Sequence, residues 1–352
     1  MTGIERLTAG VPPLLFWYRE HARDLPWRRE ITPYRVWVSE IMLQQTRAAV
    51  VTDYFSRFLE ALPDVQALAD CSEERLLKLW QGLGYYSRAR NLQRAAKMIC
   101  TEHAGRFPDT YDALLTLPGI GEYTAGAIAS IAFGQPVPAV DGNVLRVLTR
   151  LLADERDIAQ PKAKRALRGL VSDVIPAECP GTFNQALMEL GALVCLPNGE
   201  PHCADCPWEG ICLAHADGLT DHIPVRAAKK PRRIEHRTVF LIFYENRVAL
   251  RKRPEKGLLA GLWEFPNEPG CLLPPEEWGI KPTAMEDAGT GIHIFTHLEW
   301  HMTGVSVRAG RDALPDGWVW ADRTDLRDRY SIPNAFSAFR DRVGEGLCGA
   351  PE

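Results

Sequence analysis

The chain has 352 residues, a length that predicts two or three domains, each able to bury its own hydrophobic core. Its composition is that of an ordinary globular protein, and no apolar run is long enough to span a membrane. The net charge of −4 does not mark a nucleic-acid-binding protein, although a basic face can be balanced elsewhere in a chain. The N-terminal segment lacks the pattern of a secretory signal, so we expect a cytoplasmic protein.

The first part of the chain has the pattern of helices. From Pro12 to about Ile223, apolar residues recur at three- and four-residue spacing, most clearly in VWVSEIMLQQT and in RLLKLWQGLGYYSRARNLQRAAKMI. Pro and Gly residues separate these stretches into short helices. We therefore predict an all-α domain over residues 1–225.

A basic segment follows this helical region. Six Lys or Arg residues lie within Arg226–Arg237, and a solvated linker and a phosphate-contacting segment are about equally consistent with that composition. We assign 226–235 to a linker, 236–345 to a second domain and 346–352 to a tail.

The second domain has the pattern of strands. The run Thr238–Tyr244, a short turn at Glu245–Arg247 and the sequence VALRK predict a β-hairpin. The sequence LEWHMTGVSV alternates cleanly between apolar and polar residues, and WVWAD predicts another short strand. A final helix is expected at Asn334–Val343, which makes this a smaller α+β domain.

The segment Leu117–Asn143 (LPGIGEYTAGAIASIAFGQPVPAVDGN) is the most informative for function. Its Gly-Ile-Gly turn joins two helical stretches and predicts a helix-hairpin-helix at about 113–133. Such a turn directs backbone N–H groups at one point, which suits a phosphate. Asp141 follows the second helix, where it also fits the N-cap of the next one, and a capping carboxylate is expected to stay ionised.

Glu40 is a second candidate for chemistry. On a helix, its neighbours one turn away include Val36, Trp37 and Leu43, and partial desolvation there would raise its pKa. Composition alone favours a salt-bridged glutamate at a helix surface. Together, however, a protonated Glu40 and an ionised Asp141 form the pair that glycosidic bond cleavage requires.

Four cysteines lie within a short segment and indicate a metal site. Cys195, Cys203, Cys206 and Cys212 have the spacing C-x7-C-x2-C-x5-C, which suits either Zn²⁺ or a [4Fe–4S] cluster. Zinc sites usually pair two C-x2-C knuckles, and a single knuckle favours the iron–sulfur cluster in a structural role. The remaining cysteines are scattered and are expected to be reduced: Cys71, Cys100, Cys179, Cys271 and Cys348.

These motifs together resemble those of the MutY-type adenine DNA glycosylases, a branch of the helix-hairpin-helix DNA glycosylase superfamily. The resemblance rests on LPGIGEYTAGAI with VDGN, VWVSEIMLQQT, GLGYYSRARNL, NQALMELGALVC and the cysteine group, and it covers nearly the whole chain. It implies a base excision repair enzyme that removes adenine mispaired with 8-oxoguanine or guanine from double-stranded DNA. It also implies a monomer with a [4Fe–4S] cluster at 195–212, associated with the nucleoid if the source is bacterial.

The resemblance assigns catalytic roles to four residues. Glu40 would protonate adenine at N7 and later help to activate water, while Asp141 would stabilise the oxocarbenium-like sugar. Asn143 would orient the water or Asp141. Tyr123 stands where lyase-competent relatives have a Schiff-base Lys, so strand cleavage by β-elimination is expected to be absent or weak.

Further residues are implied to bind the base and the duplex. The adenine pocket would consist of Arg23, Leu25, Trp27, Arg28, Gln185 and Met188. The duplex would be contacted by Gln45, Thr46, Leu83, Tyr85, Gly119 and Gly121. On pattern alone, Leu83 and Trp27 would be assigned to the hydrophobic core.

The second domain resembles the MutT-like (Nudix) module of this family through GLLAGLWEFP at Gly257–Pro266. The Glu-rich metal-binding helix of working Nudix hydrolases is missing, so nucleotide hydrolysis is not expected. Instead, Phe295, Thr296 and His297 would recognise 8-oxoguanine, with Thr296 in place of the family's frequent Ser. The first cysteine gap is one residue longer than is usual for the family, and the ligand set is expected to survive that change.

Three other functions are consistent with parts of the sequence. One is a bifunctional glycosylase/lyase for oxidised pyrimidines, which the missing Lys opposes. Another is a Nudix hydrolase of free nucleotides, which the missing metal-binding helix opposes. The third is a non-catalytic DNA-binding protein that carries a cluster.

Overall fold

A computed structural model describes residues 1–227, 231–270 and 275–347. It divides into two compact units, one formed by residues 1–70 with 91–229 and the other by 71–90 with 230–352. Residues 228–230 of the predicted linker, residues 348–352 of the predicted tail, and Cys271 lie outside the described residues. The grouping of 71–90 with the C-terminal residues was not anticipated from the sequence.

Helices account for the N-terminal part of the chain, as predicted. They are α1 (Gly3–His21), α2 (Pro26–Arg29), α3 (Pro33–Leu43), α4 (Ala48–Ala61), α5 (Val65–Asp70), α6 (Glu73–Leu79), α7 (Ser87–Glu102), α8 (Tyr111–Leu115), α9 (Glu122–Phe133), α10 (Gly142–Leu152), α11 (Pro161–Val174), α12 (Pro180–Leu193) and α13 (Leu213–Ala216). Short 3₁₀ turns lie at Cys203–Asp205 and Glu209–Ile211. Helix α6 and the first turn of α7 belong to the second unit.

The core of the first unit lies between α1, α10 and α12. Leu14 of α1, Leu148 of α10 and Phe183 of α12 are fully buried in one cluster. Each such side chain stabilises the fold by roughly 1.5–3 kcal/mol relative to an exposed one. Because α10 and α12 are held in this core, the residues at the start of α10 have a rigid support.

A close backbone approach sets the start of α10 against α9. A Cβ atom on Gly126 would lie 2.3 Å from the carbonyl oxygen of Pro138, so only glycine permits this packing. The segment that leads to Asp141 therefore runs directly along α9. This contact brings the acidic residue close to the helix that carries Tyr123.

The second unit is built on one mixed β-sheet. Its strands are β1 (Arg233–Tyr244), β2 (Arg247–Lys252), β3 (Trp263–Glu264), β4 (Asn267–Pro269), β5 (Pro282–Ile294), β6 (Leu298–Ala309) and β7 (Trp318–Ala321). Among the described residues the strand order is β3-β2-β1-β6-β5, with β4 paired to β1 and β7 paired to β2. Strands β1 and β6 are parallel, and the other pairs are antiparallel.

The predicted α+β class of the second domain is confirmed, and its strands differ in part from the predicted ones. The β1–β2 hairpin forms as expected, and Trp300 and Met302 of β6 face the core. Strand β1, however, begins at Arg233, inside the predicted linker, because its first residues pair with Leu298 and the following residues of β6. The long β5 was not predicted, since its polar, Gly-containing sequence has little strand propensity and depends on pairing with β6.

The predicted helix Asn334–Val343 is wrong in detail. The structure has a 3₁₀ helix at Asn334–Phe339, followed by the α-helix α15 (Arg340–Gly346); α14 (Arg323–Asp328) precedes them. Phe336 and Phe339 are both buried in the sheet's core. Their spacing of three residues places them on one side of a 3₁₀ helix, which explains the tighter winding.

No helix among the described residues is long and apolar enough to cross a membrane.

Candidate active site

A cavity of about 860 Å³ in the first unit collects the predicted catalytic residues. Glu40 comes from α3, Tyr123 from the first turn of α9, and Asp141 and Asn143 from the start of α10. The same cavity is lined by the predicted base-binding and duplex-contacting residues Arg23, Leu25, Trp27, Arg28, Gln45, Thr46, Gln185 and Met188. Residues far apart in sequence thus converge on one space, while their individual roles stay predictions.

Glu40 is a buried carboxyl group, not a surface one. Helix α3 starts with Thr32 as N-cap and Pro33 in the first turn, and Glu40 near its end is 5% exposed. Burial raises the pKa of Glu40 to about 7, and the nearby charge of Asp141 adds to this, although a hydrogen bond from Tyr123 opposes it. A carboxyl group with this pKa can carry and release a proton near neutral pH.

Tyr123 fixes the orientation of that carboxyl group. Its hydroxyl donates to Oε2 of Glu40 and lies 3.5 Å from the Sδ of Met188. Burial raises the pKa of Tyr123 well above its usual range, so the phenol stays protonated and remains a donor. The side chain at position 123 is therefore a neutral hydroxyl group that bonds to Glu40.

Asp141 is the N-cap of α10, as predicted. Its Oδ1 accepts from the Val144 amide at 2.8 Å, and its Oδ2 accepts from Nδ2 of Asn143 at 2.8 Å. Capping alone does not set the ionisation of Asp141, because burial raises the pKa of this carboxyl group and outweighs these hydrogen bonds. The site thus holds two carboxyl groups in a poorly solvated environment, of which only Glu40 bonds to Tyr123.

Arg146 was missed in the sequence and holds Asn143 from the other side. The buried guanidinium donates to Oδ1 of Asn143 at 3.0 Å, to the carbonyl of Gly191 at 2.6 Å and to the carbonyl of Cys195 at 2.8 Å. Both ends of the Asn143 amide are therefore engaged, which fixes which end faces Asp141. The sequence feature that could have identified Arg146 is its position one helical turn after Asn143.

Glu189 was also missed. It is 1% exposed in its side chain and accepts hydrogen bonds from both Arg23 and Arg28, with the closest N–O pair of each at 2.8 Å. Although burial alone would raise the pKa of Glu189, the two guanidinium groups lower it to about 2. Its spacing of four residues from Gln185 on an apolar helix could have identified it.

The helix-hairpin-helix forms with exposed glycines at its turn. Gly119 has a positive φ of 77°, which favours glycine, and Gly121 is the N-cap of α9 without any side-chain cap. The first N–H groups of α9 are therefore open to an external acceptor, and a phosphate oxygen suits them.

The four predicted ligand cysteines line one pocket. Cys195, Cys203, Cys206 and Cys212 surround it together with Arg150, whose Nη1 lies 3.3 Å from the Sγ of Cys195. All four are free thiols, and burial raises the pKa of Cys206 to about 12, with the other three cysteines adding to the effect. Within the described part of the chain, no three His, Cys, Asp or Glu side chains converge closely enough to hold a single metal ion.

The predicted recognition residues of the second unit form the tip between β5 and β6. Phe295 is anchored against Trp300, with ring centroids 4.9 Å apart, whereas Thr296 and His297 are exposed. The Tyr85 hydroxyl lies 3.0 Å from Oγ1 of Thr296. These residues line a cavity of about 580 Å³ within the second unit, so the structure brings Tyr85 and this tip together.

The segment that carries Leu83 and Tyr85 is held by Arg88, which the sequence did not single out. The buried guanidinium donates to the carbonyls of Leu83 at 2.9 Å and Gly84 at 3.1 Å and lies over the Trp80 ring. Tyr85 has a positive φ of 46° and is 48% exposed. Leu83 is 6% exposed and thus buried in this conformation, as its pattern suggested.

Family models match both parts of the chain. Residues 38–173 match the HhH-GPD superfamily of base excision DNA repair proteins, and residues 238–342 match the NUDIX domain. Curated relatives include the adenine DNA glycosylases of Homo sapiens (37% identical, over 98% of this chain and 76% of the relative) and Rattus norvegicus (37%, over 84% and 70%). A bacterial relative from Buchnera aphidicola is 34% identical over 84% of this chain and 85% of the relative.

Solved structures agree with this fold. A thermostable thymine-DNA glycosylase is 26% identical with a TM-score of 0.55, over 60% of this chain and 98% of that one. A trapped endonuclease III–DNA complex is 23% identical with a TM-score of 0.53, over 62% and 100%. The latter likeness supports the fold of the helical part.

Proposed function

Because this chain belongs to the adenine DNA glycosylase family of HhH-GPD base excision repair proteins, we propose that it excises adenine mispaired with 8-oxoguanine or guanine and stops at the abasic site. The observation that carries the chemistry is the buried Glu40, which has a pKa of about 7. Its carboxyl group lies in the same cavity as that of Asp141. A target adenine would have to leave the base stack to reach this cavity.

The arrangement supports acid-assisted hydrolysis of the N-glycosidic bond. Protonated Glu40 gives its proton to N7 of adenine, and the bonding electrons of the C1′–N9 bond leave with the base. Asp141, held by Asn143 and the start of α10, stabilises the cationic sugar. Water then adds to C1′ and gives a proton back to the Glu40 carboxylate, which restores the starting state.

The absence of strand cleavage follows from Tyr123. An imine with the sugar needs an amine, and Tyr123 presents a phenol hydroxyl that is already bonded to Glu40. No lysine lines the 860 Å³ cavity among the described residues. The abasic product should therefore be released without β-elimination.

We propose that the cysteine pocket holds a [4Fe–4S] cluster. Four free thiols around one pocket match the donor set of such a cluster, and Cys195, Cys203, Cys206 and Cys212 would hold it. When bound, the cluster would fix the loop after α12. Iron content and visible charge-transfer absorbance should be lost in Cys203→Ser and kept in Cys179→Ser, whereas zinc in the purified protein would exclude the cluster.

We propose that the tip of the second unit reads the base opposite adenine. Thr296 and His297 are exposed there, and Thr296 can both donate and accept a hydrogen bond. Changing Thr296 to Ala should reduce the preference for 8-oxoguanine over guanine in adenine release. The exposed Thr290 of β5 gives the matched control, and an unchanged preference in Thr296→Ala would remove this role.

The decisive experiment is incubation with a duplex that contains adenine opposite 8-oxoguanine, analysed with and without alkali. Breaks that appear only after alkali support a monofunctional glycosylase, while breaks without alkali favour the bifunctional alternative. Glu40→Gln should abolish base release and keep duplex binding, whereas Glu60→Gln, on the exposed side of α4, should keep both. Full activity in Glu40→Gln would show that another group is the acid.

A further inference from the structure

A second cleft lies beside the active-site cavity in the first unit. It has a volume of about 280 Å³ and is lined by the start of α9, by the segment that precedes Asp141, and by the first turns of α11. Tyr123 contributes to the walls of both this cleft and the active-site cavity. An occupant of the cleft would therefore lie next to the elements that hold the reacting sugar.

The charge of the cleft is positive in a chain whose net charge is −4. Lys164, Arg165 and Arg168 of α11 line it, and Glu122 is its acidic residue. Glu122 is already paired with Arg168 at 2.8 Å, and Arg168 also lies over the ring of Tyr111. This leaves Lys164 and Arg165 as the cations that an anion would meet.

Lys164 and Arg165 lie on a well-packed helix. Both side chains are exposed, and within the described ranges neither has a carboxylate at ion-pair distance. Their backbone is firmly placed, because Ala163 and Leu167 of the same helix are buried in the first unit. Two free cations on a rigid helix beside an active site suit an anion that is itself fixed in position.

We propose that this cleft binds the phosphate backbone of the DNA strand that carries the target adenine. The proposal rests on the proposed glycosylase function, which supplies the polyanion. Charge complementarity supports it, as does continuity with two neighbouring features: the open N–H groups at the start of α9 and the wall shared through Tyr123. Contacts of this kind fix the register of the strand without reading its sequence.

The test is the salt dependence of duplex binding, measured by fluorescence anisotropy on the full chain. For each phosphate contact removed, the slope of log K against log salt should become shallower by about 1. Lys164→Ala/Arg165→Ala should therefore lose about 2 in slope and weaken binding alike on mispaired and fully paired duplexes. Arg168 is left unchanged because it holds Tyr111 and Glu122.

Lys162 provides the control, since it is exposed on the same helix but does not line the cleft. Lys162→Ala should leave the slope close to that of the unaltered protein, and Lys164→Arg/Arg165→Lys should restore it. Equal slopes for the double alanine variant and the unaltered protein would overturn the proposal, as would an equal loss in Lys162→Ala. Calorimetry with AMP tests whether the cleft binds a free nucleotide instead of DNA. If the double alanine variant loses AMP binding but keeps the slope, the cleft is assigned to free nucleotides, and the proposal is overturned.

The result of the salt-dependence test does not depend on whether the proposed glycosylase chemistry is correct. If the unaltered protein binds duplex with the expected slope but releases no adenine, the glycosylase function fails while the cleft stands. If adenine is released and the double variant keeps its slope, only the cleft proposal fails.

Discussion

Replacing Glu40 by Gln should make the protein more stable at alkaline pH while it removes the acid. Gln has the shape of the protonated carboxyl group and can still accept a hydrogen bond from Tyr123. In the folded state the pKa of Glu40 is about 7, because burial disfavours the charged form, against an ordinary value of 4.5. Ionising Glu40 therefore costs stability, and that cost is absent from the variant.

The direction and the magnitude of this pH-dependent change in stability follow from the two pKa values of Glu40. Since the pKa is raised on folding, the stability linked to this group is fully present below pH 4.5 and is lost as pH rises through about 7. The full loss is about 3 kcal/mol, at about 1.36 kcal/mol for each pH unit between the two values. About 1 kcal/mol of stability is lost by pH 5.5 and nearly all of the loss is complete by pH 8.5.

The advantage of Glu40→Gln should therefore grow by about 2 kcal/mol between pH 5.5 and pH 8.5. In a unit of this size it corresponds to a gain of about 4–8 °C in Tm. Urea and thermal denaturation of both proteins at the two pH values measure it, with the exposed Glu60→Gln as the matched control. A difference that does not change with pH would mean that Glu40 titrates normally, which would refute its role as an acid.

Three further predictions concern residues that support the two sites. Glu189→Gln should cost about 2–3 kcal/mol at pH 7 in urea denaturation, the lower figure allowing for solvent screening of the partly exposed Arg23. Because the pKa of Glu189 is lowered to about 2, the effect should shrink as pH falls below about 4.5. Gly191→Ala would place a Cβ 2.7 Å from the Cβ of Asn143. Single-turnover adenine release should therefore fall about 10- to 100-fold, while duplex affinity is kept. Unchanged release would show that this contact does not position Asn143. Arg88→Lys should speed hydrogen exchange in the loop that precedes it, and identical exchange would show that the guanidinium does not hold that loop.

Local patterns in the sequence were sufficient for the secondary structure of the first unit and for several site residues. The hairpin turn, the cap at Asp141 and the β1–β2 hairpin depend on neighbouring residues, so their sequence signals are strong. By contrast, β5 forms because β6 lies beside it, and β1 extends into the predicted linker for the same reason. Pairing partners that are distant in the chain leave little mark on a strand's own sequence.

What the sequence determined by itself was the set of chemical groups: an acid at Glu40, a carboxylate at Asp141, a hydroxyl instead of an amine at Tyr123, and four clustered thiols. Only the tertiary structure decided their state. Burial moved the pKa of Glu40 to about 7 and raised that of Asp141 despite its capping bonds. The free energy of an ionised group depends on the atoms that surround it, and those atoms come from segments that only folding brings together.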